Sequence, residues 1–361
     1  MLIVLATKLD ILYAKFMFGF DTDKRMNLYR KLASMLRNNF TLMDALDRVY
    51  ATESKNGDKP NEPFALVINA WRENLERGLP FPDATRGWSP GNETLMLAVG
   101  DISKLSIALD NVVRVGEGIS KIKKAMMDAI LYPSVLLALT FVIIMAVGLY
   151  LVPPLREAAG GDIAWRGAAA TLIAVSDFSN NYFLIIIAAF IALIALIWAS
   201  FTNWSGRLRV MFDAIPPWSM YKISVSVGWM MSLAAMVAAG GSLPMSMKML
   251  ADNSGKYLKD ILERAIGFIA NGDNLGRALE NTGTRFPNDE IIGDLAIYAD
   301  MNGFDANLEK IANDYLDASV RKMESMSNIL NSVGILLVSA VIAWVVFGTF
   351  EMQDQITAAL S

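Results

Sequence analysis

Three stretches of the chain, 134–152, 183–201 and 333–350, run for 19, 19 and 18 residues without a charged side chain. At about 1.5 Å of rise per residue, each reaches roughly 27–28 Å as a helix, close to the hydrocarbon thickness of a bilayer. Backbone polar groups find no water at that depth, so these stretches must be helical if they cross a membrane. The one that organises the rest is Lys121 to Val152, where a charged amphipathic segment runs directly into an apolar one. The same join recurs ahead of residue 333. Tyr132-Pro133 marks the first boundary, and because proline removes a backbone donor and crowds the preceding turn, a kink is expected there. With 54% hydrophobic and 19% charged residues in 361, the chain is too apolar to be wholly soluble and too charged to be wholly membrane.

Lysine and arginine set the orientation. Eighteen lie in residues 1–133, twelve in 202–332, two in 153–182 and none after Phe350. The positive-inside bias then places the N-terminus and both charged segments in the cytoplasm, and the 153–182 loop and the 351–361 tail outside. The charge is +2 in the first segment (18 against 16) and −3 in the second (12 against 15), without the concentrated basic face of a nucleic-acid binder. No nucleic-acid partner is expected. Residues 1–23 form an amphipathic segment with Leu5, Leu9, Leu12 and Phe16 on one face, which can lie on a membrane or partner or fold back on its own domain. Lys8 and Asp10 interrupt its apolar run, so it is not read as a signal peptide.

The first domain, 24–133, shows helical spacing at Leu28, Leu32, Met35 and Leu36 and again at Leu42, Ala45, Leu46 and Val49, with Asn38-Asn39 between and Thr41 placed to cap the second helix. A polar loop over 52–61 and a helix over 63–77, stopped at Gly78, follow. The second domain, 202–332, reads as helices near 220–239, 243–251, 256–271, 274–282, 288–301 and 304–332. A shift of 201 residues lays LASMLRNNFTL (32–42) over LAAMVAAGGSL (233–243). A shift of 199 pairs Asp101, Leu109, Lys123, Met127 and Leu131 with Asp300, Leu308, Lys322, Met326 and Leu330. The chain is therefore read as a tandem duplication of a helical cytoplasmic domain and an exit span, the span at 183–201 returning the chain inward.

Chemistry is sparse. There is no cysteine and no histidine, which removes thiol nucleophiles, most zinc sites and imidazole acid–base catalysis. No G-x-x-x-x-G-K-[ST] phosphate loop occurs. Glu290 with Asp294, and Asp305 with Glu309, fall one helical turn apart, a spacing that fits a divalent cation or a basic partner but more often marks a solvated face. The methionines at 230, 231, 236, 245, 247 and 249 read as core filling. Neither catalysis, metal nor cofactor is expected. The spans carry no charge, against a transporter, and Gly148, Gly334 and Gly348 permit close helix packing and self-association.

This arrangement resembles the inner-membrane platform proteins of type II secretion and type IV pilus assembly, the PilC/GspF family. The resemblance is carried by Lys123-Lys124-Ala125 and Tyr132-Pro133 at the entry to the first span, by Ala239-Gly240-Gly241-Ser242-Leu243-Pro244, and by Gly272, Leu275, Ala278 and Leu279. It covers about residues 24 to 352. Asn38-Asn39 stand where relatives have a small residue and glycine, Gly228-Trp229 replace an Arg-Phe, and the Gly-Glu-x-x-Gly turn survives only as Gly100-Asp101 and as Asp300 with Gly303. These departures suggest a divergent branch such as a type IVb or plasmid-encoded pilus system.

The resemblance implies an all-α polytopic membrane protein with two repeated cytoplasmic helical bundles and three transmembrane helices, acting as a non-enzymatic scaffold in the bacterial inner membrane. It implies as partners a hexameric assembly ATPase, pilin or pseudopilin subunits, other inner-membrane assembly proteins, membrane lipid and further copies of the chain. Asp101, Lys123, Lys124, Tyr132, Pro133, Gly240, Gly241, Asp300, Asp305, Glu309 and Lys322 are the candidate docking or coupling residues. The competing class is a membrane signalling or receptor subunit with helical cytoplasmic domains.

Overall fold

The computed structural model describes residues 2–99, 105–159, 163–299, 301 and 303–360. Two sequence-predicted positions, Asp101 and Asp300, lie outside them. Among the described residues all regular structure is helical. The first charged segment supplies α1 (Leu2–Phe20), α2 (Thr22–Arg37), α3 (Leu42–Glu53), α4 (Pro63–Glu76), α5 (Phe81–Thr85), α6 (Gly91–Val99) and the start of α7 (Leu105–Ala146). A π-helical turn, Val147–Leu151, and α8 (Val152–Ala158) prolong α7, and α9 spans Gly167–Asn203. The second segment supplies α10 (Arg207–Phe212), α11 (Trp218–Ala238), α12 (Leu243–Asp252), α13 (Lys256–Ala270), α14 (Leu275–Asn281), α15 (Asp289–Tyr298) and α16 (Phe304–Leu360).

Local chemistry explains most boundaries. Thr41 caps α3, its hydroxyl accepting from the Asp44 N–H at 3.1 Å, and Asn274 caps α14 by accepting from the Arg277 N–H at 3.0 Å. Gly78, Gly240 and Gly272 end their helices with φ of 85°, 94° and 101°, a conformation glycine reaches without a Cβ penalty. Asn39 does the same at φ 62°, which is why a residue outside the glycine pattern still turns the chain. At Tyr132-Pro133 the helix α7 continues through Pro133. A π turn follows at Val147–Leu151.

The chain separates into two compact units. The first contains Met1–Lys124 and Thr202–Val320, both charged segments together. In it α1 packs on α4, α4 on α3 and α5, and α5 on α6, while α11 to α15 stack in sequence and α6 meets α11. The core of the first half surrounds Trp71, whose ring lies 5.4 Å from Phe18, 6.1 Å from Tyr29 and 5.7 Å from Phe81. The second half buries Met220, Met230, Met231, Met236 and Met247 instead, as the methionine run suggests, whereas Met245, also read as core filling, is 57% exposed and Met249 only half-buried. α1 folds back on its own bundle, with Ala14 and Phe18 fully buried, and leaves Leu9, Leu12 and Phe16 exposed.

The second unit contains Ala125–Phe201 and Arg321–Ser361. Four helices of the molecule are long and apolar enough to cross a bilayer. One of them, α11, buries 67% of its apolar window within the first unit, against 28%, 0% and 11% for the other three. It is a core helix, and the other three are those with lipid-facing surface to spare. Phe141 and Phe190 stack at 4.8 Å, and a Cβ at Gly334 would meet Leu136 at 2.8 Å, so the apolar helices touch where small residues allow.

The stretch read as an outward loop is itself largely helical and shares a small core. Val147, Val152, Ala169, Leu172, Ile173 and Met352 are buried together. α16 carries on through the segment read as a tail, where the Glu351 carboxylate accepts from the Ala169 N–H at 3.1 Å and the Gln355 side chain bonds both the N–H and the C=O of Arg166. The π turn frees a carbonyl, and the Ser176 hydroxyl donates to it, at Gly148, over 2.6 Å. Any Cβ at Gly148 would lie 2.8 Å from Ser179 Oγ.

Candidate coupling site

The candidate coupling positions lie mostly along the two long helices α7 and α16. Both helices bury one face in the first unit: Leu109, Val112, Val115 and Ile122 on α7, Leu308, Ala312 and Tyr315 on α16. Arg114 pairs with Glu309, and Lys121 with Asp317 at 2.7 Å. From the other side α2 holds α7 through Arg30–Glu117 and Arg37–Asp110. These pairs are solvent-exposed and each is worth at most about 1 kcal/mol, so they set register while the apolar face supplies strength. Gly118 belongs to that face, since a Cβ there would overlap Met231. Tyr315 Oη lies 2.8 Å from the Ser226 hydroxyl, and burial pushes the Tyr315 phenol up.

Of the sequence-predicted residues, Glu309 joins this seam through Arg114. Lys123, Lys124, Asp305 and Lys322 are exposed on the two long helices, Tyr132 is 47% exposed, and Pro133 is buried in the second unit. Gly240 and Gly241 form the turn between α11 and α12. They do not converge on one pocket. Among the described residues no three acidic side chains gather as a metal site.

Two buried polar clusters escape the sequence reading. In the first half, Arg25 is 3% exposed and its guanidinium donates through Nε and Nη2 to the Glu93 carboxylate at 2.9–3.0 Å, and through Nη1 to the carbonyls of Phe18 and Gly19. Tyr29 Oη donates to Glu93 at 3.1 Å and lies 2.8 Å from Ser89 Oγ. Burial drives the Glu93 carboxyl up and Arg25 pulls it back. The cluster satisfies the last carbonyls of α1 and so clamps that helix to its bundle. In the second half, Arg209 Nε donates to Asp213 at 2.8 Å, and Tyr257 Oη donates to the other Asp213 oxygen at 2.8 Å. The guanidinium lies over the Tyr257 ring at 4.6 Å. One signal existed: Arg25, Tyr29 and Leu32 share a helix face with the core, and an arginine there needs a buried carboxylate.

Residues 28–153 and 229–350 each match the family model described as type II secretion system (T2SS), protein F. The chain belongs to that family. The two matches begin 201 residues apart, at the offset that relates 32–42 to 233–243, so the T2SS protein F unit occurs twice. This T2SS protein F relative is also similar to the toxin coregulated pilus biosynthesis protein E of Vibrio cholerae serotype O1, 20% identical over 352 residues, spanning 93% of this chain and 98% of that protein. Its apolar helices make it a membrane protein, and each repeat couples a helical bundle to one of them.

Proposed function

We propose that the protein is the inner-membrane platform of a type IV pilus or type II secretion assembly machine, a scaffold that couples a cytoplasmic hexameric ATPase to the insertion of pilin subunits. The observation that carries the pilus reading is end-to-end similarity to a pilus biosynthesis protein. In this reading the domains are 24–133 and 202–332 in the cytoplasm, the spans 134–152, 183–201 and 333–350, the N-terminus inside and the C-terminus outside, with self-association in the bilayer. The absence of histidine and cysteine from the chain supports a mechanical rather than enzymatic role.

A mechanism follows from helix continuity. Because α7 and α16 each run unbroken from bundle residues into an apolar stretch, displacement of a helix's first turns by the ATPase displaces its span. A flexible Gly/Ser insertion between Asp128 and Leu131 should leave the protein folded and inserted but abolish piliation. Normal pili on such cells would refute the lever. Failure of the protein to co-purify with a Walker-type assembly ATPase would refute the platform role itself.

A further inference from the structure

A cavity of about 250 Å³ opens in the second half of the cytoplasmic unit, between α10, α13 and the turn after α14. Arg207, Arg209 and Arg264 line it, with the hydroxyls of Ser205, Thr282 and Thr284. Its two carboxylates are already engaged, Asp213 by Arg209 and Asp260 by Arg264, each one helical turn away. The lining therefore carries three cations against two anions, and the surplus belongs to Arg207. At this volume the cavity is smaller than the roughly 300–1,000 Å³ that holds a whole drug-sized ligand. It suits a small anionic group gripped by guanidinium forks.

Its place in the chain says where that group comes from. Ser205 is two residues beyond Asn203, where the apolar helix α9 ends, and two residues of chain reach at most about 7 Å. The lip of the cavity is thus tethered at headgroup depth. α10 is divided in the same sense: Arg209 and Val210 face the cavity, whereas Leu208 and Met211 are 66% and 70% exposed, followed by Ile215 at 56%. Trp204, Phe212 and Trp218 cluster beside them with ring centres 5.0–6.5 Å apart. Aromatic rings, exposed aliphatics and arginines directly after a membrane helix are the composition of a segment lying in the interface.

We propose that this cavity binds the phosphate of an anionic lipid headgroup, with α10 resting in the interfacial layer, Arg207 supplying the surplus charge and Arg264, still paired with Asp260, donating from its remaining guanidinium N–H groups. The inference rests on α9 crossing the bilayer and not on the platform role, so its failure leaves that role intact. The test uses the full-length protein, delipidated in detergent and titrated with phosphatidylglycerol, phosphatidylcholine or inorganic phosphate, read by native mass spectrometry and thermal melting. Phosphatidylglycerol should bind in preference to phosphatidylcholine and raise the melting temperature. In R207A/R264A, which loses two charge-assisted contacts, its affinity should fall at least about tenfold, with phosphatidylcholine binding unchanged. If the double variant fails to fold, Arg207→Gln, at an exposed position, should show a smaller loss in the same direction. Equal binding of the two lipids, or unchanged affinity in the variants, overturns the proposal. Inorganic phosphate that reproduces the full shift and displaces no lipid overturns the lipid source.

Discussion

The two repeats of this molecule turn the chain identically and fill themselves differently. α3 and α12 begin 201 residues apart, at Leu42 and Leu243, each preceded by a hydroxyl residue and a left-handed turn, Asn39 at 62° and Gly240 at 94°. Inside, the first half has Arg25 paired with Glu93, where the offset of 201 puts Ser226 and the offset of 199 puts Ile292 in the second. Trp71 and its rings face a methionine core across the repeats. The shared turns recur, then, while the core chemistry around them changes and stays satisfied. The difference has a local reason. Arg25 also binds the end of α1, whereas in the second repeat Arg209 and Asp213 tie α10 to α13 from positions that the offset of 201 lays over Lys8 and Leu12.

The largest test removes one side of the buried pair. Glu93→Ala leaves Arg25 charged and unpaired in the interior and should destabilise the protein by about 3–5 kcal/mol, read as a fall in melting temperature in detergent. Installing the second repeat's solution, Arg25→Ser with Glu93→Ile, should recover at least half of that loss. A double variant as unstable as the single would show that the cluster's bonds to α1 outweigh its internal pairing.

A smaller effect probes close approach. Gly276, the second residue of α14, admits no Cβ without overlap with the Ala296 backbone, while Pro82 holds the second position of α5. Gly276→Ala should cost about 1–3 kcal/mol and Pro82→Ala less than about 1 kcal/mol. Equal costs would mean that α14 and α15 separate freely. The smallest contrast lies in the caps: Thr41 accepts a backbone hydrogen bond and Ser242 makes none. Thr41→Ala should lose about 1 kcal/mol and Ser242→Ala no more than about 0.5 kcal/mol, distinguishable by paired melting curves.

Much of the architecture was legible because it rests on local rules. Apolar runs mark the lipid-facing helices, glycine at φ above zero ends helices at 78, 240 and 272, and the coherent offset between Leu32 and Leu233 or Lys123 and Lys322 betrays the duplication. The coupling residues were less legible. Glu309 was found for its acidity, whereas its partner Arg114 became visible only once α7 and α16 lay together. Arg25 and Arg209 were missed because a charged residue reads as surface until its carboxylate is found, 68 residues away in one case.

The sequence alone determined that this chain is helical, duplicated and membrane-embedded, because hydrophobic length, capping residues and charge asymmetry act within a few residues of themselves. Tertiary structure supplied the cover of α11, which meets the length and hydropathy of a span yet buries 67% of its apolar window, in keeping with its reading as a helix of the second domain. It also decided that a supposed loop and tail clasp one another through Glu351 and Gln355. Burial and pairing join distant parts of the chain, and no local pattern records them.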